Sequence, residues 1–166
     1  MFVKPTGLGS SIGVSRVNEL AELGAAVELA RQYSDRVIVE QFVAGGEYFA
    51  GIIGRSPLPL IRIETPNEFY DYEAKYESDQ TRYYCPCGLD SELESYLQVR
   101  SLDAFDALGA SGWARVDFIL DEHDEPWFLE VNTAPGMTDH SLVPQAAAQV
   151  GCDFDELVWR ILETSL

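Results

Sequence analysis

Three residues in one short stretch have the types and spacing to hold a hard cation, Asp117, Glu130 and Asn132, and Arg115 shares their face. They lie in Gly112–Leu142, GWARVDFILDEHDEPWFLEVNTAPGMTDHSL, which reads as two strands around a turn, a Pro-Gly loop and the start of a helix. Side chains alternate faces along a strand, so Trp113, Arg115, Asp117 and Ile119 share one face. Ala114, Val116, Phe118 and Leu120 take the apolar other. In the second strand Phe128, Glu130 and Asn132 share a face, opposite Trp127, Leu129 and Val131. The intervening DEHDEP is turn material. A turn closed symmetrically between His123 and Asp124 sets Asp117 opposite Glu130 and Arg115 opposite Asn132. Directly opposed like charges destabilise an antiparallel pair, whereas two carboxylates and an amide oxygen suit magnesium. The alternative is a plain solvated face, and the flanking Trp, Phe, Ile and Leu argue against it.

Other candidates stand further from that hairpin. Lys4 precedes Thr6–Val14, TGLGSSIGV, a loop whose glycines and serines could turn N–H and hydroxyl donors toward an anion. Its spacing fits neither the P-loop nor the dinucleotide fingerprint, and a flexible connector is the competing reading. Lys4 and Lys75 are the only lysines in the chain. Glu40 and Glu47 border a Gly45-Gly46 pair and read otherwise as strand-edge charges. Ser141 and the Leu142 amide open a helix, where an anion such as a carboxylate is attracted, though an ordinary cap has the same composition.

These residues need a framework. Met1–Pro5 reads as a strand, 18–33 as a helix capped by Asn18 with Leu20, Leu23, Val27 and Ala30 on one stripe, and 36–43 as a strand. Gly45-Gly46 is a hairpin or hinge signal before a strand over 47–53. A strand follows over 57–64. The tyrosine-rich 69–89 lacks apolar periodicity and reads as a mobile lid carrying Lys75 and Tyr76. The segment 90–108 is an amphipathic helix with Leu93, Leu97, Leu102 and Phe105 toward the core. A helix from Leu142 stops at Gly151. Another starts at Asp153, with Glu156 at capping-box spacing and a stripe of Phe154, Leu157, Val158, Ile161 and Leu162.

Composition narrows the classes. The 166 residues are 46% hydrophobic, enough for one sizeable core or two small lobes. A net charge of −17 argues against nucleic acid and against anionic membrane surfaces. There is no apolar run of membrane-spanning length and no secretory signal pattern at the start. Cys85, Cys87 and Cys152 suit a reducing cytosol better than a disulfide framework, and no second Cys/His pair supports zinc. The expected location is cytoplasmic.

At this point the motifs VKPTGLGSSIGVS, VIVEQFVAGGE, FYDYEAKY, GWARVDF and LEVNTAPGMTDHSLVPQAA resemble, in order and spacing, those of D-alanine–D-alanine ligases of the ATP-grasp superfamily. The resemblance covers nearly the whole chain. It implies an α+β fold: 1–43 ending an ATP-binding subdomain, and 44–166 forming a C-terminal catalytic domain with an antiparallel sheet flanked by helices. It implies that Lys4 and Lys75 contact ATP phosphates. Glu40, with backbone groups of Gln41 and Val43, would contact adenine, Glu47 ribose, and Phe69 and Leu129 would wall the base. Asp117, Glu130 and Asn132 resemble ligands of two magnesium ions, with manganese an alternative. Arg115 and the Gly136 amide resemble the groups that stabilise a tetrahedral centre. Ser141 and Leu142 resemble the carboxylate pocket of the second D-alanine, and Ser10 and Tyr76 two members of the set closing the lid.

The implied activity joins two D-alanines through an acyl phosphate for peptidoglycan synthesis, in an enzyme expected to be a homodimer. Family chains are longer at the N-terminus, so this one is expected to lack the domain holding much of the first D-alanine site, and to be inactive by itself. Two rival readings remain: a related ligase with D-lactate or D-serine as acceptor, and a chain that only binds nucleotide or a partner.

Overall fold

The computed structural model describes residues 1–9, 11–65, 81–138 and 140–165. Two compact units emerge, one containing Met1–Val43 and the other Ala44–Glu64 with Arg82–Leu166.

In the first unit, β1 (Phe2–Pro5) lies between β2 (Ser15–Arg16) and β3 (Val37–Glu40), all antiparallel. Its small core joins Val3, Val17, Ala26 and Ala30, with Met1, Leu23, Val27 and Val37 packed around them. The helical segment is shorter than its apolar pattern: a 3-10 turn at Leu20–Glu22 leads into α1 (Leu23–Arg31). Asn18 does not cap it. Instead the Glu22 carboxylate reaches back to accept the backbone N–H groups of Asn18 and Glu19, at 2.9 and 3.2 Å, which holds its pKa below the usual carboxylate range. Leu20 consequently falls off the buried stripe and is 76% exposed.

The second unit is built on an antiparallel sheet of order β7-β6-β4-β8-β9, with β5 added to β4. The strands are β4 (Gly45–Ile53), β5 (Ser56–Pro57), β6 (Ile61–Glu64), β7 (Arg82–Tyr84), β8 (Trp113–Asp121) and β9 (Pro126–Asn132). Gly45-Gly46 is not a hairpin turn, because β3 and β4 belong to different sheets. These glycines begin β4, where a Cβ on Gly45 would strike the carbonyl oxygen of Leu120 on β8. Close backbone approach, not a reversal, is what glycine serves here.

Strand alternation then sorts the sheet's faces. Tyr48, Ala50 and Ile52 of β4 join Ala114, Val116, Phe118 and Leu120 of β8 in the main core. Helix α2 (Ser91–Ala107) contributes Leu97 and Phe105 to it, with Leu93 and Leu102 packed alongside. Asp90 caps α2, accepting from the N–H groups of Glu92 and Leu93. The helix also grips the β5–β6 connection: Glu94 accepts from Leu60 N at 2.9 Å, and Gln98 donates to Leu58 O at 2.9 Å. Just before α2, burial pushes the Cys85 thiol up to about 11, helped by Cys87 and Glu94, so it stays protonated at neutral pH. Across this same face runs a row of paired side chains. Tyr84 underlies the Arg62 guanidinium at 4.7 Å, Tyr48 stacks on Phe118 at 5.8 Å, and Phe118 meets Phe128 at 5.7 Å.

The β8–β9 hairpin closes as its turn residues dictate. Asp124 takes the left-handed conformation with φ of 60°, which Asp tolerates. Asp121 accepts from His123 N, Glu125 N and Trp127 Nε1 at 2.8–3.0 Å. Those bonds, the indole first, hold the Asp121 pKa below its ordinary 3.8. A depressed carboxylate stabilises the folded state above its unfolded value and loses that contribution as pH falls through its folded value. The wild type should therefore melt at a higher temperature than Asp121→Ala at neutral pH, with the gap closing below pH 3.8; a gap independent of pH in a thermal scan would refute the role.

Helices α3 (Leu142–Gln149) and α4 (Phe154–Glu163) finish the unit. Gly151, with φ of 75°, ends α3 as a left-handed cap while Cys152 N bonds back to Ala147 O. Asp153 caps α4 through Glu156 N. Of the expected α4 stripe, Leu157 is fully buried, but Phe154 and Leu162 are exposed.

Candidate functional site: a carboxylate pair under an arginine fork

The odd-numbered face of β8 carries the charged side chains Arg115 and Asp117. Asp117 pairs with Glu130 and Arg115 with Asn132, as symmetrical closure of the turn requires. That register does not persist. A bulge between Asp117 and Phe118 leaves Leu129 as the extra residue, so Phe118 pairs with Phe128, Ile119 with Trp127 and Leu120 with Pro126. Strict alternation puts Phe128 on the face of Glu130. The bulge reverses this: Phe128 turns to the core face against Phe118, while Glu130 keeps its place beside Asp117.

Asp117 is 4% exposed, the one buried carboxylate among the described residues. Both of its oxygens are held by Arg115, whose Nε donates to Oδ1 and Nη2 to Oδ2, each at 2.7 Å. Such a two-pronged fork is the strong form of the arginine–carboxylate contact. Nη2 also stands 3.9 Å from Glu130 Oε1. The guanidinium thus lies across the opposed carboxylates and offsets the repulsion their pairing creates. Beneath it is the ring of Phe49, 5.0 Å from the guanidinium carbon. Phe49 is paired with Asp117 across β4–β8.

Asn132 accepts from Ala134 N at 3.0 Å, which starts the loop 133–140. Its far end is knitted to Ser141: Thr138 N donates to Ser141 Oγ at 2.9 Å, and the two hydroxyls are 2.9 Å apart. Ser141 has the extended backbone of an N-cap, yet its hydroxyl does not cap α3. Gly136 adjoins it, where a Cβ would come within 2.9 Å of Ser141 Oγ. The first turn of α3 lies on the arginine's face of the sheet, because a Cβ on Gly51, which pairs with Arg115, would be 3.5 Å from Val143. Leu142 is buried. Glu47, two residues before Phe49 on the same strand face, pairs with Ile119. The structure therefore gathers Arg115, Asp117, Glu130 and Asn132, and sets Ser141 and Gly136 side by side.

A cation fits this donor set on chemical grounds. Among the described residues no three His, Cys, Asp or Glu side chains converge, so the protein offers two carboxylates and one amide oxygen. Magnesium is commonly bound through only one or two carboxylates, with water and substrate phosphate completing its shell. A carboxylate oxygen has two lone pairs, so the Arg115 fork leaves Asp117 able to serve, and Glu130 is 55% exposed at its side chain.

In the first unit, Lys4 Nζ lies 2.8 Å from Glu40 Oε1. The strand register explains it: Phe2 pairs with Glu40 and Lys4 with Ile38, so the two charges are diagonal neighbours on one face. Gln41 and Val43 fall beyond the end of β3. Phe42 between them is sandwiched by Phe2, 6.1 Å between rings, and Arg16, 4.5 Å from its centroid. Ser10, Phe69, Lys75 and Tyr76 lie outside the described residues.

Comparison with known proteins now bears on this geometry. A family model described as D-ala D-ala ligase C-terminus matches residues 1–163. The D-alanine–D-alanine ligase of Methylococcus capsulatus is 54% identical over 165 residues, 99% of this chain and 53% of that protein. The ligase of the same name from Dechloromonas aromatica is 55% identical over 163 residues, 98% and 54% respectively. Among solved structures, the VanG D-Ala:D-Ser ligase of Enterococcus faecalis matches with a TM-score of 0.89 at 34% identity, over 99% of this chain and 49% of that one. The D-alanine–D-alanine ligase of Bacillus anthracis complexed with ATP matches with a TM-score of 0.83 at 32% identity, over 99% and 51%. The chain spans about half the length of the relatives it matches. With an α+β, ATP-grasp fold and a family match over nearly its full length, the chain belongs to the D-alanine–D-alanine ligase family.

Proposed function

We propose that these residues form the ATP- and magnesium-using catalytic part of a D-alanine–D-alanine ligase. The observation that carries the reading is the Arg115–Asp117 fork set against Glu130 and Asn132 in a chain of this family. The reaction transfers the terminal phosphoryl group of ATP to the carboxylate of one D-alanine. The amine of a second then attacks the acyl phosphate, and phosphate leaves as the peptide bond forms. Asp117, Glu130 and Asn132 would hold one or two magnesium ions, with manganese an alternative. Such ions neutralise charge on the transferred phosphoryl group.

The other roles follow from side-chain chemistry. Lys4, already held on a half-buried face by Glu40, exchanges that partner for a phosphate. Glu40, Gln41 and Val43 take adenine, Glu47 takes ribose, and Leu129 walls the base from the bulge. Arg115 and the Gly136 amide meet the developing oxyanion; losing one such donor costs about 100- to 1,000-fold in rate. Ser141, oriented by Thr138, and the Leu142 amide receive the carboxylate of the second D-alanine. Lys75 and Phe69 complete the nucleotide contacts, and Ser10 and Tyr76 close the site. D-alanine rather than D-serine is taken as the acceptor, because relatives named D-alanine–D-alanine ligase are 54–55% identical over nearly the whole of this chain. The product feeds peptidoglycan synthesis in the cytoplasm, and the whole enzyme is a homodimer whose ATP-binding and catalytic parts divide near Val43.

The 166 residues taken by themselves bind nucleotide weakly and form no dipeptide. Isothermal titration of the chain with ATP should show binding strengthened by magnesium, and Asp117→Asn should remove that strengthening. Magnesium dependence unchanged in the variant would count against the metal role, and D-alanine-dependent phosphate release would overturn the inactivity.

A further inference from the structure

We infer that Phe49 is a positioning residue for Arg115, its ring deciding which of two carboxylates the guanidinium serves; the inference rests on the role just given to Arg115. Three observations meet at this ring. Phe49 is 2% exposed and stands directly across from Asp117 in the β4–β8 register. The guanidinium carbon lies 5.0 Å from its centroid. The guanidinium edge is taken by both Asp117 oxygens, while Glu130 waits 3.9 Å from Nη2.

Two carboxylates therefore compete for one cation. Glu130 is the more solvent-exposed of them, and a long arginine side chain has the freedom to swing toward it. Contact with an aromatic face favours the guanidinium over the ring, and over this ring its edge meets Asp117. The carboxylate and the ring thus clamp it from edge and face. Gly51, the next residue on this strand face, has no side chain to substitute. While Arg115 stays on Asp117, the Glu130 oxygens remain available to a cation. Without the ring, the guanidinium shifts toward Glu130 and competes with the metal.

The test is solvent exchange of the Arg115 Nε–H, followed by NMR on the 166-residue chain with Phe49→Leu, Phe49→Met and Phe49→Tyr. Leu and Met remove the π-face, Met while keeping most of the volume; Tyr retains it. The Leu and Met variants should exchange this proton about tenfold faster, and Phe49→Tyr at the wild-type rate, with the Ala50 and Val116 amides unchanged in all. Magnesium affinity should fall about tenfold alongside. Arg115 Nε–H rates within about twofold of wild type, equal acceleration of the two backbone amides, or failure of only the Leu and Met variants to fold would each overturn the inference. Unchanged exchange with magnesium dependence lost in Asp117→Asn would leave the ligase reading intact. Altered exchange with magnesium dependence kept in Asp117→Asn would remove that reading and leave the positioning.

Discussion

Arg115→Ala is expected to cost the second unit about 3–5 kcal/mol of stability, and magnesium is expected to return part of it. The size follows from burial. The Asp117 side chain is 6% exposed and that of Arg115 16%, so truncating the arginine removes two 2.7 Å contacts from a carboxylate that water hardly reaches. Its neighbour across the strand is a second carboxylate, so the variant suffers repulsion as well as a desolvation cost no longer offset by the arginine. A divalent cation placed between them would supply the missing positive charge. Urea unfolding should show the midpoint of the variant rising with millimolar magnesium more than that of the wild type. A loss under about 1 kcal/mol would mean that the pair behaves as a surface ion pair, and equal response to magnesium would deny the cation its place there.

Phe118→Ala should be as damaging without touching a charge. Phe118 has no exposure, stacks on Tyr48 and meets Phe128. Phenylalanine to alanine in a packed core costs about 3–5 kcal/mol, a large share of the roughly 5–15 kcal/mol that holds a domain together. The effect should appear as an earlier urea midpoint with the slope preserved. Phe118→Leu, which leaves a smaller void, should lose distinctly less. Equal losses for both would show that the loss does not follow the volume removed, which would refute the packing account.

Much of this was legible locally. The facing of Asp117 and Glu130 came from two rules, alternation and turn composition, applied within about twenty residues. The core face of α2 and the ends of α3 and α4 were readable for the same reason. The bulge was not, because Leu129 is as apolar as its neighbours and nothing local marks it as the extra residue. What selects it is the demand of Phe128 for the core face against Phe118, a contact outside any single strand. Phe49 was missed because β4 and β8 are far apart in sequence, and pairing over such separations leaves no local periodic trace. Gly45-Gly46 misled in the opposite sense: the pair has turn chemistry, yet the constraint comes from Leu120 on another strand. The 18–33 helix lost its first turn to Glu22, whose carboxylate supplied the cap expected of Asn18.

The extra residue in β9 divides that strand's labour. Upstream of Leu129 the strand sets Phe128 against Phe118; downstream it sets Glu130 beside Asp117 and Asn132 beside Arg115. With a side-chain period of two, deleting Leu129 would make Phe128 and Glu130 neighbours on opposite faces, still set against Phe118 and Asp117 respectively. A one-residue deletion should therefore be tolerated at Leu129, as at 122–124 where the chain simply reverses, whereas losing Phe128 or Glu130 removes one of the two pairs.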